Sequence, residues 1–355
     1  MLALQAVTPA QLHAAVPEVT LAEARKLVAQ VHRGEPVAPT SSIRRAAAAA
    51  VRAVGEVPAL TIVDEVASQL DPFVKYALES GGDRFEAVRI PLEAAGRFSV
   101  CVSSQVGCAL ACAFCATGRL GLRRNLATWE IVEQVRVVRA RLPQAPTPSR
   151  VTGVVFQGMG EPLANLDAVL GAIAVLSDPC TQGIDARAIT VCTAGLPAGI
   201  RRLAREAPNV RLGLSLSSAI AAHRRRVMPI ADAHDLDAVL EACAEHARAT
   251  GHAPMWAVTL LAGVNDADAD AHALAERAHA FATATGRRPR ISLLDYNPIG
   301  EAPSVARTPG AADPFARSPR LNAFRDVLSA AGLASHRRYS GGSDVAAACG
   351  QLAAV

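Results

Sequence analysis

The cysteines of the segment CVSSQVGCALACAFCATG, residues 101–118, are the residues whose type and spacing best predict chemistry. Cys108, Cys112 and Cys115 follow a Cys-x3-Cys-x2-Cys pattern. A loop this short can direct three thiolates at one metal cluster, and thiolates are the ligands that iron–sulfur clusters prefer. Three protein ligands on a cubane leave one iron open to a small molecule.

Structural zinc and chance clustering are the alternatives to an iron–sulfur cluster. Zinc sites normally need four ligands, often supplied as two Cys-x2-Cys pairs. The chain has eight cysteines but no second pair of this kind. The spacing therefore favours a [4Fe–4S] cluster held by Cys108, Cys112 and Cys115.

A glycine-rich element, GMGEPLANL at residues 158–166, follows the strand-like run Val154–Phe156. Glycine permits positive φ and the close approach of a ligand to the backbone. The carboxylate of Glu161 could bond an ammonium group with charge assistance. An ordinary strand-to-helix turn is the alternative interpretation, and the cysteine motif upstream favours a binding site.

The cysteine spacing, with Phe114 before the last cysteine, resembles the radical S-adenosylmethionine (SAM) superfamily. Four longer stretches resemble the RlmN/Cfr family within it, which methylates adenosine in large-subunit ribosomal RNA and, for some members, transfer RNA. They are CVSSQVGCALACAFC, RRNL at 123–126, GMGEPLANL, and DVAAACGQLA at 344–353. The resemblance runs from about Glu86 to Leu352 and implies the family's cofactors, a [4Fe–4S] cluster and two SAM molecules per turnover.

Carbon 2 of adenine lies between two ring nitrogens and is too electron-poor to attack a methyl sulfonium directly. The resemblance implies a radical route instead. Cys349 would take a methyl group from one SAM, and a radical made from a second SAM would activate that methyl group. Cys101 would resolve the protein–RNA adduct by forming a disulfide, and Glu86 would accept a proton. The alternative is that the cysteines are buried apolar residues and Glu86 a surface charge. Cys180 and Cys243 have no motif around them and are interpreted as structural.

The resemblance also implies a set of SAM-binding residues, and the chain departs from the family pattern at two of them and at one further position. The implied residues are Gly160, Glu161, Cys192, Ser215, Leu216, Ser217 and Asn297. Cys192 begins Cys-Thr-Ala-Gly where the family usually has Ser-Thr-Ser-Gly, Ser217 stands where it usually has His, and Gly341 where it usually has Arg. These departures concern contacts that position the substrate more than the radical chemistry.

A non-catalytic RNA-binding relative is a further possibility, but the presence of all five cysteines that the resemblance assigns to the chemistry argues against it. Three functions remain open at this stage. The first is methylation of adenosine, at carbon 2, in 23S ribosomal RNA and also in transfer RNA. The second is methylation of a small molecule, motivated by the departures at Ser217 and Gly341. The third is methylation at carbon 8, which confers antibiotic resistance on ribosomes. In each case the implied partners include a reducing electron donor such as flavodoxin or ferredoxin, and we expect a monomer that does not bind membranes.

Composition limits the partners without identifying them. The 355 residues carry a net charge of +4, and only 4% are aromatic. This tolerates RNA but does not favour extensive base stacking. Basic clusters are typical of solvated surfaces as well as of phosphate sites; they lie at 123–124, 201–202, 224–226, 287–290 and 336–338. The absence of a signal-like start or long apolar run predicts a cytoplasmic protein without a disulfide framework.

The hydrophobic pattern predicts an α/β fold with a small helical N-terminal domain. Residues 1–60 are expected to form helices at 8–16, 20–33 and 42–54, residues 61–97 a connecting segment, and residues 98–355 a partial (β/α)6 radical-SAM barrel with a C-terminal methyl-carrier loop. Strands are expected at 98–103, 152–156, 188–192, 212–216, 256–261 and 291–294. Helices are expected between them, with surface loops at 143–149 and 302–314. In such folds ligands bind at the carboxyl ends of the strands.

Overall fold

The computed structural model describes residues 1–144, 148–299 and 313–353. Of the two expected loops, 302–314 lies largely outside the described residues, and 143–149 lies outside them at 145–147, with its described residues in no helix or strand. None of the helices in the described part of the chain combines the length and apolar character needed to cross a bilayer.

The N-terminal segment folds around a small apolar core of its own. Thr8 and Thr20 each begin a helix by accepting a backbone hydrogen bond from the residue three positions on, whose side chain accepts one in return. The elements are β1 (Leu2–Ala3), α1 (Pro9–Ala15), α2 (Leu21–His32), α3 (Arg45–Val54) and β2 (Gly55–Glu56). They enclose a separate cluster of buried residues that runs from Leu4 to Val51. The three predicted helices are confirmed.

Three antiparallel strands follow the helices, where the sequence predicts only a connecting segment. They are β3 (Thr61–Ala67), β4 (Val74–Ser80) and β5 (Asp83–Pro91). Strand β3 at the sheet edge is largely exposed, so its residues show no alternation that would reveal a strand. These strands extend the main sheet and place residues 71–90 beside the C-terminal tail.

The barrel consists of parallel strands alternating with helices. Its elements in chain order are β6 (Arg97–Val102), β7 (Gln105–Gly107), α4 (Ala116–Arg119), β8 (Leu122–Asn125), α5 (Thr128–Ala140), β9 (Arg150–Phe156), α6 (Leu166–Ser177), β10 (Ile189–Thr193), α7 (Pro197–Glu206), β11 (Arg211–Ser215), α8 (Ala221–Val227), α9 (Ile230–Ala233), α10 (Leu236–Thr250), β12 (Met255–Leu260), α11 (Asp268–Thr285), β13 (Arg290–Asp295), α12 (Leu321–Ala330) and β14 (Ser335–Arg338). All six predicted strands are confirmed to within about two residues.

Ten of the strands form one sheet in the order β14-β13-β12-β11-β10-β9-β6-β5-β4-β3, while β1 pairs with β2 and β7 with β8 in two separate two-stranded sheets. Within the ten-stranded sheet, every pairing between β6 and β14 is parallel, whereas β7 and β8 pair antiparallel. The fold is therefore an α/β partial barrel, with a short seventh parallel strand, β14, that the sequence pattern did not predict. Because parallel strands end at the same edge, the loops after β6, β9, β10, β11 and β13 meet on one face.

Burial of large side chains holds the two layers together. Trp256 on β12 is fully buried, and its ring packs edge-to-face on Phe281 of α11 with centroids 5.2 Å apart. The helices α5, α6, α10 and α11 cover the outer face of the sheet with Val, Leu, Ile and Ala. The inner face is left to smaller and more polar residues, which line the site.

Two leucines of α2 provide a test of the N-terminal core. Leu27 is 1% exposed, whereas Leu21 at the start of the same helix is 38% exposed. We expect Leu27→Ala to lower the free energy of unfolding by about 2–5 kcal/mol, because it leaves a cavity in a small core, and Leu21→Ala to change it by about 0.5 kcal/mol or less. Urea unfolding of both variants measures the difference; equal losses would contradict a packed N-terminal core.

Candidate functional site

The loop that carries Cys108, Cys112 and Cys115 runs from the end of β7 to the start of α4. The amide of Cys108 donates to the Gly121 carbonyl at 2.9 Å, and the amide of Ala113 donates to the Val227 carbonyl at 2.9 Å. Ala111 adopts a positive φ of 50°, which folds the loop back on itself. These contacts hold the loop over the carboxyl ends of the strands.

All three cysteines line one cavity of about 960 Å³, which we call the barrel cavity. Within residues 1–144, 148–299 and 313–353, no group of three His, Cys, Asp or Glu converges in the geometry of a single metal ion. A cubane binds each thiolate at a different iron, so its ligands need to share a cavity and not a point. Among the described residues, three thiols on one short loop that share a cavity without converging on a single point fit such a cluster better than a zinc ion.

Burial affects the thiols of the loop. It raises the pKa of Cys108 to about 11 and raises the pKa of Cys112 and Cys115 as well. Desolvation is the largest cause in each case, because a thiolate loses hydration in the cavity. A bound metal centre supplies the positive charge that a buried thiolate needs.

The turn after β9 faces the three cysteines across the barrel cavity. The Glu161 carboxylate is buried and accepts hydrogen bonds from the amides of Leu163 at 3.0 Å and Ala194 at 2.8 Å. Burial raises the pKa of Glu161 despite these bonds. Gly160 has a φ of 95°, and a Cβ at this position would lie 2.5 Å from Cβ of Gln105. The turn therefore requires glycine and points a fixed acceptor into the cavity.

The other predicted SAM-binding residues divide into two groups. Cys192, Ser215 and Ser217 line the barrel cavity at the ends of β10 and β11. Leu216 is fully buried and is not among the lining residues; its amide donates to the Ala257 carbonyl at 2.9 Å. Asn297 also lies away from the barrel cavity, and its side-chain amide donates to the Cys349 carbonyl at 3.2 Å.

A second cavity, of about 660 Å³, lies between the C-terminal tail and strands β5 and β6. We call it the tail cavity. Cys101 and Cys349 both line it, and Cys349 also lines the barrel cavity. Burial raises the pKa of the Cys101 thiol above its ordinary range. The structure thus brings the two predicted mechanistic cysteines together, with Cys349 at the junction of the two cavities.

Backbone hydrogen bonds hold the tail in this position. The Cys349 amide donates to Ser340 Oγ at 2.8 Å, and the Gly350 carbonyl accepts from the Ala116 amide at 2.7 Å. Thr117 Oγ1 donates to the Leu352 carbonyl at 2.5 Å. The first two residues of α4 therefore fix the tail around Cys349 directly next to the cysteine loop.

Glu86, the predicted proton acceptor, lies on β5 and lines neither cavity among the described residues. Its side chain is 3% exposed and forms an ion pair with Lys75 at 3.0 Å. Its second oxygen accepts a hydrogen bond from the Ala353 amide at 2.9 Å. In this structure Glu86 anchors the end of the tail.

Arg224 is the main structural residue that sequence reasoning missed. It is 1% exposed, and its guanidinium donates to the carbonyls of Leu216 at 2.7 Å and Ala194 at 2.5 Å. Burial lowers its pKa to about 10. It joins the loops after β10 and β11, so it does not belong to a solvated basic cluster. The run of three arginines at 224–226 gave no signal that one of them points inward.

Sequence and structure comparisons agree that the chain is similar to radical SAM enzymes and to methyltransferases. Residues 102–275 match the Radical SAM superfamily. A probable RNA methyltransferase of Sorangium cellulosum is 59% identical over 94% of this chain and 88% of its own length. A dual-specificity RNA methyltransferase RlmN of Syntrophobacter fumaroxidans is 41% identical over 77% of this chain and 74% of its own length. The crystal structure of a radical SAM methyltransferase from Sphaerobacter thermophilus superimposes with a TM-score of 0.84 at 33% identity, covering 100% of both chains.

A pair of glycines tests the turn that carries Glu161. Gly160 (φ 95°) and Gly263 (φ 67°) both have positive φ, but only at Gly160 would a Cβ meet an atom within 4 Å. Alanine adds the cost of a left-handed backbone at both positions and a clash at Gly160 alone. We expect Gly160→Ala to lose about 1–3 kcal/mol more unfolding free energy than Gly263→Ala. Equal losses in chemical denaturation would show that the turn accommodates a side chain.

Proposed function

Because the chain belongs to the radical SAM RNA methyltransferases, the family that includes RlmN, we propose that it methylates carbon 2 of an adenosine in 23S ribosomal RNA, and also in transfer RNA, through a methyl group carried on Cys349. The family uses a [4Fe–4S] cluster and SAM. The observation that best supports the assignment of Cys349 is its position at the junction of the barrel cavity and the tail cavity.

Cys108, Cys112 and Cys115 would hold the cluster, since they are the only cysteine trio on one loop and share one cavity. The cluster, when bound, supplies the electron that cleaves SAM. Glu161 and the turn at Gly160 would bind the methionine end of SAM: the buried carboxylate uses two backbone amides to keep its orientation and offers its remaining lone pairs to an ammonium. Cys192, Ser215 and Ser217 would contact the rest of the molecule from neighbouring strand ends.

Cys349 would receive a methyl group from SAM in the barrel cavity and deliver it to RNA in the tail cavity. Its amide and carbonyl are both held, by Ser340 at 2.8 Å and Asn297 at 3.2 Å, so its backbone presents the sulfur at a fixed place between the two cavities. Because the fold already orients the Cys349 sulfur, its reactions with SAM and with RNA carry a smaller entropic cost of positioning. We therefore propose that Asn297 positions Cys349 and does not contact SAM directly.

Cys101 would release the methylated RNA: its sulfur would bond to the Cys349 sulfur as the bond between that sulfur and the transferred carbon breaks, and the electron pair of the broken bond would stay on the carbon, which takes up a proton. Cys101 is buried on β6, lines the tail cavity, and is a free thiol here, as are the other seven cysteines. Its raised pKa keeps the sulfur protonated until the adduct forms beside it.

Glu86 would accept the proton that leaves the adenine ring. One oxygen of its side chain pairs with Lys75 Nζ at 3.0 Å. Its other oxygen is engaged by the Ala353 amide, so proton transfer requires the end of the tail to release that oxygen. We propose that the tail shifts at Ala353 when RNA enters the tail cavity.

RNA is the acceptor that the relatives favour over a small molecule, because relatives covering most of this chain carry RNA methyltransferase names. Methylation at carbon 2 rather than carbon 8 is proposed as the more widespread activity of the family. We further propose that the protein is a cytoplasmic monomer that receives electrons from a flavodoxin or ferredoxin.

The first experiment tests the cluster ligands. We expect Cys112→Ala, purified and reconstituted anaerobically, to lose most of its iron and its ability to cleave SAM, because one of three ligands is missing. Cys180→Ala is the matched control, since Cys180 lies outside both cavities. Iron analysis and electron paramagnetic resonance measure the result. Full iron content in Cys112→Ala would exclude Cys112 as a ligand.

The second experiment tests the acceptor and the methyl carrier together. Reconstituted enzyme, reductant and methyl-labelled SAM are incubated anaerobically with protein-free ribosomal RNA, and nucleosides are separated by chromatography. We expect labelled 2-methyladenosine from the wild type and none from Cys349→Ala, while Cys349→Ala keeps its iron. Label in no adenosine would overturn the proposed function, label in 8-methyladenosine would correct the carbon, and turnover by Cys349→Ala would exclude the methyl-cysteine route.

A further inference from the structure

The tail cavity opens toward the surface along the end of β14. A shallow cleft of about 870 Å³, which we call the surface cleft, shares Arg338, Tyr339 and Ser340 with the tail cavity. The same three residues therefore line a continuous path from the surface toward Cys349. A large substrate that delivers one base to the tail cavity has to pass them.

Tyr339 is a large aromatic residue exposed on this path. It is 68% exposed, although its hydroxyl donates to Asp71 Oδ2 at 2.6 Å and its ring packs edge-to-face on Phe73 with centroids 6.1 Å apart. Only 4% of the chain is aromatic. The two contacts hold the ring without covering its face, so a planar partner can stack on it with little loss of side-chain entropy.

The same neighbours explain the departure at position 341. A Cβ on Gly341 would lie 2.5 Å from Cε2 of Phe73 and 2.6 Å from Oδ2 of Asp71. An arginine, which the family usually carries at this point, cannot fit without moving both side chains. Phe73 and Asp71 thus leave no room for a side chain at position 341, and they orient the ring of Tyr339. The side chain that can contact a substrate therefore lies two residues before the position of the family's arginine.

The charge of the surface cleft suits a nucleic acid backbone. Arg317, Arg337 and Arg338 line it. Arg337 is paired with Asp295 at 2.6 Å and Arg317 donates to the Tyr296 carbonyl at 3.1 Å. Among residues 1–144, 148–299 and 313–353, the Arg338 side chain forms no hydrogen bond or ion pair. It lines the tail cavity as well as the surface cleft, and its guanidinium lies near the sulfurs of Cys101, Cys192 and Cys349, so it can bind a phosphate of RNA that has entered the path.

We propose that Tyr339 stacks on the nucleobase adjacent to the methylated adenosine and that Arg338 binds the phosphate between the two nucleotides. This inference rests on the proposed RNA methyltransferase function and deepens it by naming the residues that guide RNA. Stacking is sequence-tolerant because every base has a π face, so one aromatic residue can serve ribosomal and transfer RNA alike.

Three variants of Tyr339 separate stacking from structural support. We expect Tyr339→Ala to raise the KM for a ribosomal RNA hairpin about tenfold with kcat nearly unchanged, because only substrate positioning is lost. Tyr339→Phe removes the bond to Asp71 but keeps the ring, and Tyr339→Trp enlarges the ring; both should stay within about twofold of wild type. Leu70→Ala, a nearby residue 70% exposed, is the surface control and should behave as wild type.

A binding measurement tests the stacking on Tyr339 and the phosphate contact of Arg338 separately. The dissociation constant of a fluorescently labelled hairpin is measured for the wild type, Tyr339→Ala and Arg338→Gln at two salt concentrations. We expect both variants to bind about tenfold more weakly, with a smaller salt dependence for Arg338→Gln alone. Unchanged binding by Tyr339→Ala, or equal losses in Tyr339→Ala and Tyr339→Phe, would overturn the inference. Wild-type enzyme that binds RNA but methylates no adenosine would instead overturn the proposed function, whatever the variants show.

Discussion

One hydrogen bond, from the Ala116 amide to the Gly350 carbonyl at 2.7 Å, joins the cysteine loop to the C-terminal tail. The two segments are more than 200 residues apart in sequence. The proposed chemistry depends on this contact, because it holds Cys349 beside Cys115 at the mouth of the barrel cavity. Ser340, Asn297 and Thr117 reinforce it, and each bonds to the backbone of the tail.

Two buried charged side chains, Arg224 and Glu161, hold the loops at the strand ends in place. Arg224 has no carboxylate partner in the described residues, and its two terminal guanidinium nitrogens donate to carbonyls of two loops. Glu161 accepts from the amides of the same region. Burying a charge is costly unless its hydrogen bonds are satisfied. Here the bonds are made to irregular backbone after the strands, which has no ladder partners of its own. The loops are thereby fixed where a ligand needs them.

The three positions that depart from the family pattern lie in different local surroundings. Gly213 on β11 lies opposite Cys192, and a Cβ there would be 2.8 Å from the cysteine sulfur, so a glycine provides the room for Cys192. Ser217 adopts a positive φ of 59° and keeps a place in the cavity lining. Gly341 is enforced by Phe73 and Asp71, residues of a region that the sequence marks only as a connection. Each change is local and leaves the cysteine loop unaltered.

The sequence by itself predicted six of the seven parallel strands of the barrel and the cysteine trio, and its resemblance to a family marked Cys101 and Cys349 as the proposed mechanistic cysteines. Hydrophobic periodicity and ligand spacing are local properties, and they can be recognised over a few to about fifteen residues. The three antiparallel strands, the inward orientation of Arg224 and the bond between Glu86 and Ala353 could not be predicted, because they depend on partners distant in sequence. Only the tertiary structure decided that Asn297 holds Cys349, that Cys349 borders two cavities, and that Tyr339 stands at the opening of one of them.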